Sequence, residues 1–212
     1  VSLELRAPFL DPGLVDFAVN VRVPTPPAWL ATTLRDGISD LAAYPVVDPA
    51  RTALARRHAV PQHMGLPTSG GAEAFTLIAR AIPGRRPLVV HPPFTEPESA
   101  LRRAGRVQDQ HVLSEREGFV LHPDRIPADA DLVIIGNPTN PTGVLHPRST
   151  LEALRAPGRV LVIDEAFMDA IVGGADSLIS ADLDGVIVVR SLTKTWGLAG
   201  LRAGYVVGDP SL

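Results

Sequence analysis

Short apolar runs alternate along the chain with segments in which apolar residues recur at helical spacing. The runs predict buried strands at Pro87–Val90, Leu132–Ile135, Val160–Ile163, Val186–Val189 and Ala203–Val207. The periodic segments predict helices near Ala28–Leu41, Pro49–His58, Ala72–Ile82, Glu96–Ala104 and Arg148–Ala156. Strands that are apolar throughout, with helices between them, are typical of a mainly parallel sheet covered on both faces. The pattern therefore predicts an α/β fold with three layers, α/β/α.

The composition of the 212 residues restricts the class of protein. Hydrophobic residues make up 45% and charged residues 20%, which is typical of a folded globular chain and excludes intrinsic disorder. The formal net charge of -3 gives no basic surface for nucleic acid or an anionic membrane. The apolar runs are too short to span a bilayer, the first residues do not read as a secretory signal, and Cys is absent. We therefore expect a cytoplasmic enzyme or binding protein, without disulfides and without a metal site.

The basic residues are distributed unevenly between the two types. Of the 20 Lys and Arg residues, Lys194 is the single Lys and all the others are Arg. Arg does not form an imine with an aldehyde because its guanidinium is delocalised and stays protonated, whereas a deprotonated Lys does. The count makes Lys194 a candidate for amine chemistry, and chance survival of one Lys is the competing interpretation.

Polar segments directly follow three of the predicted strands. They are the Asn-containing loop Gly136–Gly143, the acidic segment Asp164–Phe167 and the segment Arg190–Lys194. In sheets of this kind, ligands bind beyond the carboxyl ends of the parallel strands. The sequence therefore predicts that an amide, an acid and an amine meet at one edge of the sheet, although each alone is more often a solvated surface group.

An amine and an acid at one sheet edge suit an aldehyde cofactor that contains an aromatic ring nitrogen. Lys194 supplies the amine, and a buried Asp164 would keep the ring nitrogen protonated so that the ring acts as an electron sink. Phe94 follows a predicted strand and is a candidate for stacking on the ring, with an ordinary core aromatic as the alternative.

A phosphate on that cofactor would need its own cradle. The segment Ser69–Glu73 opens a predicted helix, whose free amides and positive dipole end suit a phosphate, although a Gly-Gly pair is usually just a turn. Ser191, Thr193 and Arg202 would add hydroxyl and guanidinium donors near the amine.

Three motifs together resemble a known family. They are Asn137-Pro-Thr-Asn-Pro-Thr-Gly143, Asp164-Glu-Ala-Phe167, and Ser191-Leu-Thr-Lys194 with Gly200-Leu-Arg-Ala-Gly204. The chain is similar to the fold-type-I pyridoxal-phosphate enzymes of aminotransferase class I/II. The resemblance is greatest to the branch that holds histidinol-phosphate aminotransferase and L-threonine-O-3-phosphate decarboxylase. The resemblance implies an N-terminal segment, residues 1–25, followed by the large domain of the pyridoxal-phosphate-dependent transferase fold, residues 26–212.

The resemblance implies a role for each matched residue. Lys194 would bind the aldehyde of pyridoxal 5'-phosphate and then move protons at the substrate carbon, while Asp164 would pair with the ring nitrogen. Asn140 would hydrogen-bond the ring hydroxyl. The rest of the cofactor-binding set that it implies within one subunit is Gly71, Ala72, Phe94, Ser191, Thr193 and Arg202.

Three further residues are matched or suggested nearer the N terminus. Tyr44 matches a family tyrosine that reaches the phosphate of the neighbouring subunit's cofactor, which implies a homodimer; the alternative is a half-exposed turn residue. Asn20 matches a position near the substrate. Arg22 is a candidate for binding a substrate phosphate or carboxylate, and a solvated Arg is the alternative.

Departures from the family pattern leave the reaction open. Aminotransferases of this group commonly have Tyr where this chain has Phe167, and Phe is closer to the threonine-phosphate decarboxylases. Those decarboxylases usually have a second Asn followed by Pro in the segment where this chain reads Asn20-Val21-Arg22-Val23. Family members also continue into a small C-terminal domain, which we expect to be missing here.

The leading hypothesis is an aminotransferase that acts on a small phosphorylated amine or amino acid, as histidinol-phosphate aminotransferase does. The alternative is an L-threonine-O-3-phosphate decarboxylase of cobalamin biosynthesis. A hypothesis of another class is a truncated form that binds the cofactor without turnover. A nicotinamide-dependent dehydrogenase is disfavoured because no predicted strand is followed by a Gly-rich dinucleotide fingerprint.

Overall fold

The computed structural model describes residues 20–212, which form a seven-stranded sheet with helices on both faces. The strands are β1 Gly65–Thr68, β2 Pro87–His91, β3 Asp109–Val112, β4 Leu132–Gly136, β5 Val160–Asp164, β6 Val186–Ser191 and β7 Gly204–Gly208. The α-helices are α1 Ala28–Asp36, α2 Asp48–His58, α3 Gly70–Ala81, α4 Glu96–Arg103 and α5 Arg148–Glu152. Short 3-10 helices cover Gly37–Ala42, Gln62–Met64, Glu115–Glu117, Pro123–Arg125, Met168–Ala170 and Val172–Gly174.

The sheet has the strand order β1-β7-β6-β5-β4-β2-β3. Strands β3, β2, β4, β5 and β6 run parallel, whereas β7 is antiparallel to both of its neighbours, β6 and β1. Gly136 pairs with Asp164 and Asp164 pairs with Val189. This register aligns the carboxyl ends of β4, β5 and β6, so that the segments following them share one edge.

The alternation of side chains along the strands divides the core into two clusters, one on each face. Val89, Ile134 and Val189 point to the face that α3 and α4 cover. The neighbouring Val133 and Val188 point to the face covered by α2 and α5. Successive residues of a strand face opposite sides, and burial on both sides requires apolar residues at every position. The predicted three-layer α/β fold is confirmed.

The strongly apolar strands were predictable, and the two edge strands were not. All five predicted strands are present within one or two residues of their predicted bounds. β1 and β3 escape the pattern because Gly65–Thr68 contains Gly and Pro and Asp109–Val112 is polar and largely exposed. Strands at an edge bury less surface, so their sequences carry less of the apolar signal.

Two predicted helices are shorter in the structure than in the sequence pattern. The α-helix at Ala28 ends at Asp36, and the chain continues as a 3-10 helix from Gly37, where glycine weakens α-helical propagation. α5 ends at Glu152 rather than Ala156, and the following residues form tighter turns before Pro157. Both differences lie within helices, and the ends of the strands that carry the predicted polar segments are unaffected.

Of the predicted N-terminal segment, residues 1–19 lie outside the described residues. In the part that the structure covers, no helix combines the length and the apolar character that a membrane crossing requires.

Candidate active site

A cavity of about 160 Å³ lies beyond the carboxyl ends of β4, β5 and β6, against the start of α3. It collects nine of the twelve residues that the sequence analysis singled out for the site. They are Gly71, Ala72, Phe94, Asn140, Asp164, Ser191, Thr193, Lys194 and Arg202. The predicted meeting of amide, acid and amine at one sheet edge is therefore present in the geometry.

Asp164, the last residue of β5, is the buried acid of this cavity, with only 9% of its surface exposed. Its Oδ1 accepts a hydrogen bond from the backbone N–H of Ala166 at 3.0 Å. Burial raises the pKa of Asp164 to about 6, and the Glu165 carboxylate adds to this rise, while the Ala166 hydrogen bond and the charge of Lys194 oppose it. A carboxylate in this setting gains from a cationic partner inside the cavity.

Lys194 is half-buried, and its Nζ donates a hydrogen bond to Oδ1 of Asn20 at 3.0 Å. Burial lowers the pKa of Lys194, and the positive charge of Arg202 lowers it further, while Asp164 acts in the opposite direction. A lower pKa increases the fraction of neutral amine at a given pH, and only the neutral amine is a nucleophile.

The chain from residue 20 to residue 29 lies across the segment that carries Lys194. The N–H of Arg22 donates to the carbonyl of Lys194 at 2.8 Å. Gly197 has φ +67°, and a Cβ there would lie 3.0 Å from the carbonyl carbon of Thr25. The Trp29 and Trp196 rings meet edge to face with centroids 5.7 Å apart. These contacts fix Asn20 beside the Lys194 amine.

The start of α3 and the loop after β6 form one wall of the cavity. Gly70, with φ +75°, allows the chain to turn into the helix, and a Cβ there would lie 3.1 Å from Nη2 of Arg202. The hydroxyl of Ser191 accepts from the N–H of Thr193 at 3.2 Å, so its own proton is available to a ligand. Helix amides, two hydroxyls and a guanidinium together suit a phosphate.

The loop after β4 is held by Asn137, while Asn140 faces the cavity. Asn137 is completely buried; its Nδ2 donates to the carbonyl of His146 at 3.2 Å, and its Oδ1 accepts from the N–H of His146 at 2.7 Å. Its backbone N–H donates to the carbonyl of Asp164 at 2.8 Å. Asn137 therefore has a structural role that ties the loop to the end of β5.

Phe94 stands on the wall of the cavity with 42% of its surface exposed, so it is not a core aromatic. The turn that carries it is closed by a hydrogen bond at 2.9 Å between Nε2 of His91 and Oε1 of Glu98. The same oxygen accepts from Nε2 of Gln110 at 2.8 Å. These contacts join the end of β2 to the first turns of α4 and hold Phe94 between them.

The other three predicted site residues do not line the cavity. Asn20 is exposed and reaches the site through its hydrogen bond to Lys194. The Arg22 side chain is exposed, and only its backbone contacts the Lys194 segment. Tyr44 is 97% exposed and contacts no part of the cavity wall. The roles of all three stay predictions.

Sequence reasoning missed several residues of the cavity wall. They are Phe75, Pro93, Glu96, Pro97, Ile134, Ile135, Gly136, Pro138 and Ala166; Phe167, noted only as a departure from the family pattern, is also on the wall. Glu96 is the polar residue among the missed ones, and its Oε2 lies 3.7 Å from Nη1 of Arg103. Its position at the start of a predicted helix, two residues after Phe94, is the sequence signal that could have identified it.

The donor set fits pyridoxal 5'-phosphate in three respects. The cavity contains the chain's single Lys amine, a buried carboxylate without a cationic hydrogen-bond partner among the described residues, and an anion cradle beside Arg202. A Cβ at Gly204 would lie 2.8 Å from the carbonyl oxygen of Arg190 and 2.9 Å from Cα of Gly70. The start of α3 can therefore pack this closely against β7 only because residue 204 is glycine.

Comparison with curated proteins finds relatives over most of this chain. A histidinol-phosphate aminotransferase of Mycobacterium tuberculosis is 50% identical over 204 residues, which cover 95% of this chain and 55% of that protein. A threonine-phosphate decarboxylase of Salmonella typhimurium is 32% identical over 208 residues, or 92% of this chain and 57% of that protein. The chain therefore spans little more than half the length of these relatives.

Solved structures show the same fold. The histidinol-phosphate aminotransferase from Clostridium acetobutylicum superposes with a TM-score of 0.80 at 23% identity, covering 92% of this chain and 60% of that one. The family model described as aminotransferase class I and II matches residues 13–212. On this evidence, the chain belongs to the class I and II aminotransferase family.

Proposed function

We propose that this chain binds pyridoxal 5'-phosphate through Lys194 and acts in amino-group transfer. The observation that carries the proposal is the convergence of one Lys amine, a buried Asp164 and an anion cradle in a single cavity. When bound, the cofactor supplies an aldehyde and an electron-withdrawing ring. The residues that would hold it are Gly71, Ala72, Phe94, Asn140, Asp164, Ser191, Thr193, Lys194 and Arg202.

The chain's own groups have distinct tasks in this proposal. The lowered pKa of Lys194, caused first by burial, makes the amine available to attack an aldehyde and later to carry a proton at the substrate carbon. Asn20 accepts a hydrogen bond from the Nζ of Lys194 and holds it in position. Asp164 would keep the ring nitrogen of the bound cofactor protonated, Phe94 would stack on the ring, and Phe167 lines the cavity wall.

We further propose a small phosphorylated amine of the histidinol-phosphate class as substrate, and a cytoplasmic location. The support is the 50% identity to a histidinol-phosphate aminotransferase, against 32% to a threonine-phosphate decarboxylase. The decarboxylase is the second candidate because Phe167 brings no hydroxyl to the cavity wall. Release of carbon dioxide from threonine phosphate would favour the decarboxylase, and amino transfer to a keto acid would favour the aminotransferase.

Borohydride reduction in the presence of pyridoxal 5'-phosphate tests the proposal directly. We expect a stable pyridoxyl label on the peptide that contains Lys194, because it is the single side-chain amine of the chain. Lys194→Arg is the matched control, since it keeps the charge but forms no imine. A label confined to the N-terminal amine, or an equal label in the variant, would contradict the assignment of Lys194. Labelling without any turnover would favour the form that binds the cofactor but is inactive.

We also propose a homodimer in which Tyr44 reaches the cofactor phosphate of the neighbouring subunit. Tyr44 is 97% exposed, and Ile38, Leu41 and Val46 beside it leave most of their apolar surface in water. Such a surface suits a closed twofold assembly. Trp29, on the preceding helix, is also exposed.

Substitution of Tyr44 by Phe should weaken cofactor binding by about 0.5–1.5 kcal/mol, the effect of one hydrogen bond. The measurement is the cofactor dissociation constant from the visible absorbance of the bound cofactor. Sedimentation at the same protein concentration checks that the variant has kept its oligomeric state. An unchanged dissociation constant in a variant that remains dimeric would show that the Tyr44 hydroxyl does not contact the phosphate.

A further inference from the structure

A buried cluster of charges lies behind the cavity, on the opposite face of the sheet. Asp164 and Ser191 end β5 and β6 and face the cavity. Their chain neighbours Glu165 and Arg190 face the other way, because side chains alternate along extended backbone. Glu165 is 1% exposed and Arg190 is 6% exposed, so both charges are removed from water.

Arg190 is the centre of this cluster. Its Nη2 lies 2.8 Å from Oε2 of Glu165, and its Nη1 lies 3.0 Å from Oδ1 of Asp169. Asp169 also accepts from Nη2 of Arg57 on α2 at 2.9 Å. One guanidinium thus spans two carboxylates that lie at the two ends of one turn, residues 165–169.

Glu165 is fixed by additional hydrogen bonds. Its Oε2 accepts from the hydroxyl of Ser177 at 2.7 Å, and its Oε1 accepts from the N–H of Leu178 at 2.9 Å. Its backbone N–H donates to the carbonyl of Val189 on β6 at 2.8 Å. The residue that follows Asp164 is therefore bound on both its main chain and its side chain.

The turn held in this way carries Ala166 and Phe167, which line the cavity. The N–H of Ala166 is also the donor to Oδ1 of Asp164. A displacement of the turn would therefore move one cavity wall and remove the hydrogen bond of the buried acid at the same time. The charge of Glu165 also raises the pKa of Asp164, and the charge of Arg190 favours the ionised form of Glu165.

We propose that Arg190 is a positioning residue of the site, which acts from the far face of the sheet by holding the 165–169 turn through Glu165 and Asp169. The inference rests on the proposed function only in that it takes the cavity to hold pyridoxal 5'-phosphate. Arg190 itself is not among the residues that line the cavity.

Arg190→Lys tests this inference because Lys keeps the charge but loses the planar fork that spans two carboxylates. In the cofactor-free chain, we expect faster amide hydrogen exchange across residues 165–169. The dissociation constant of pyridoxal 5'-phosphate should rise about tenfold, the effect of one charge-assisted hydrogen bond. Asp169→Asn, which leaves the Glu165 pair intact, should change both readouts in the same direction by less.

Arg159→Lys is the matched control, at the other end of β5. Arg159 donates to the carbonyls of Ala130, Leu154 and Pro127, each at 2.8 Å, so its substitution also destabilises the fold. We expect its exchange in the 165–169 turn and its cofactor affinity to match the wild type.

Two results would overturn the positioning role. One is wild-type exchange and affinity in both Arg190→Lys and Asp169→Asn. The other is an equal loss in Arg159→Lys, which would mean that general destabilisation explains the effect. A wild-type chain that does not bind pyridoxal 5'-phosphate would refute the proposed function instead, and the exchange measurement would still decide whether Arg190 holds the turn.

Discussion

Asp164→Asn should reduce amino transfer by several orders of magnitude. Asn keeps the shape of Asp164 but removes the negative charge, so a bound pyridoxal 5'-phosphate would lose the group that we propose keeps its ring nitrogen protonated. Gly71, Ser191 and Arg202, which we propose hold the cofactor phosphate, are unchanged, so much of the cofactor affinity should remain. The measurement is the steady-state rate of the cofactor-loaded protein with its amino donor, together with the cofactor dissociation constant.

The same substitution should stabilise the cofactor-free protein at neutral pH. The pKa of Asp164 is raised from 3.8 to about 6 by burial, so the folded state binds this proton more tightly than the unfolded state does. The contribution of Asp164 to stability is therefore greatest at low pH and falls as the pH rises towards 6. The difference in free energy of unfolding between Asp164→Asn and wild type should grow over that window and then level off.

The two readouts together make the role of Asp164 testable. If Asp164 keeps the ring nitrogen protonated, Asp164→Asn should show both lower activity with the cofactor and higher stability without it. Near-normal activity of Asp164→Asn would show that the carboxylate does not serve the ring nitrogen. A flat stability difference across that pH range would show that its burial does not cost the folded state.

Gly204→Ala should destabilise the fold by about 1–3 kcal/mol, as overpacking of a close contact does. The new Cβ would lie 2.8 Å from the carbonyl oxygen of Arg190 and 2.9 Å from Cα of Gly70. Both neighbours are backbone, so β6, β7 or the start of α3 must move. Urea unfolding monitored by circular dichroism measures the loss, and weaker cofactor binding should accompany it because Gly70 begins α3, where we propose that the phosphate binds.

Gly200→Ala is the control for that prediction. A Cβ at Gly200 would meet nothing within 4 Å, and its φ is outside the left-handed region. Its stability should equal or exceed that of the wild type, since Ala restricts the unfolded chain. Equal effects at Gly204 and Gly200 would mean that the contact of β7 with α3 is not tight.

The central strands and the sheet edge were predictable because burial on both faces imposes a continuous apolar run. Val160–Ile163 and Val186–Val189 carry that signal, and the polar residues directly after them become the site. The motif resemblance added Asn140, whose local sequence alone does not separate it from a surface residue. Asn140 lies on the cavity wall together with Asp164 and Lys194.

Other features depend on contacts between segments that are distant in the sequence. Nothing near Arg190 in the sequence indicates that it shares Asp169 with Arg57, because that cluster requires β5, β6 and α2 to be assembled first. The contact of Asn20 with Lys194 likewise joins residues that are 174 positions apart in the sequence. The position of Glu96 on the cavity wall follows from the direction in which α4 leaves the sheet.

The insertion of β7 between β1 and β6 has a kinetic consequence. β7 is synthesised after every other strand of the sheet, yet it occupies an interior position and pairs on both sides. Until it emerges from the ribosome, β1 has no place in the sheet, and α3 lacks the contact of Gly204 with Gly70. The pairing of β1 with β7 joins segments that are far apart in sequence. Such pairings form slowly because the long intervening chain must close into a loop first. The proposed phosphate site is therefore among the last parts of the described chain to form, and a nascent chain should not acquire the proposed cofactor before the sheet is closed.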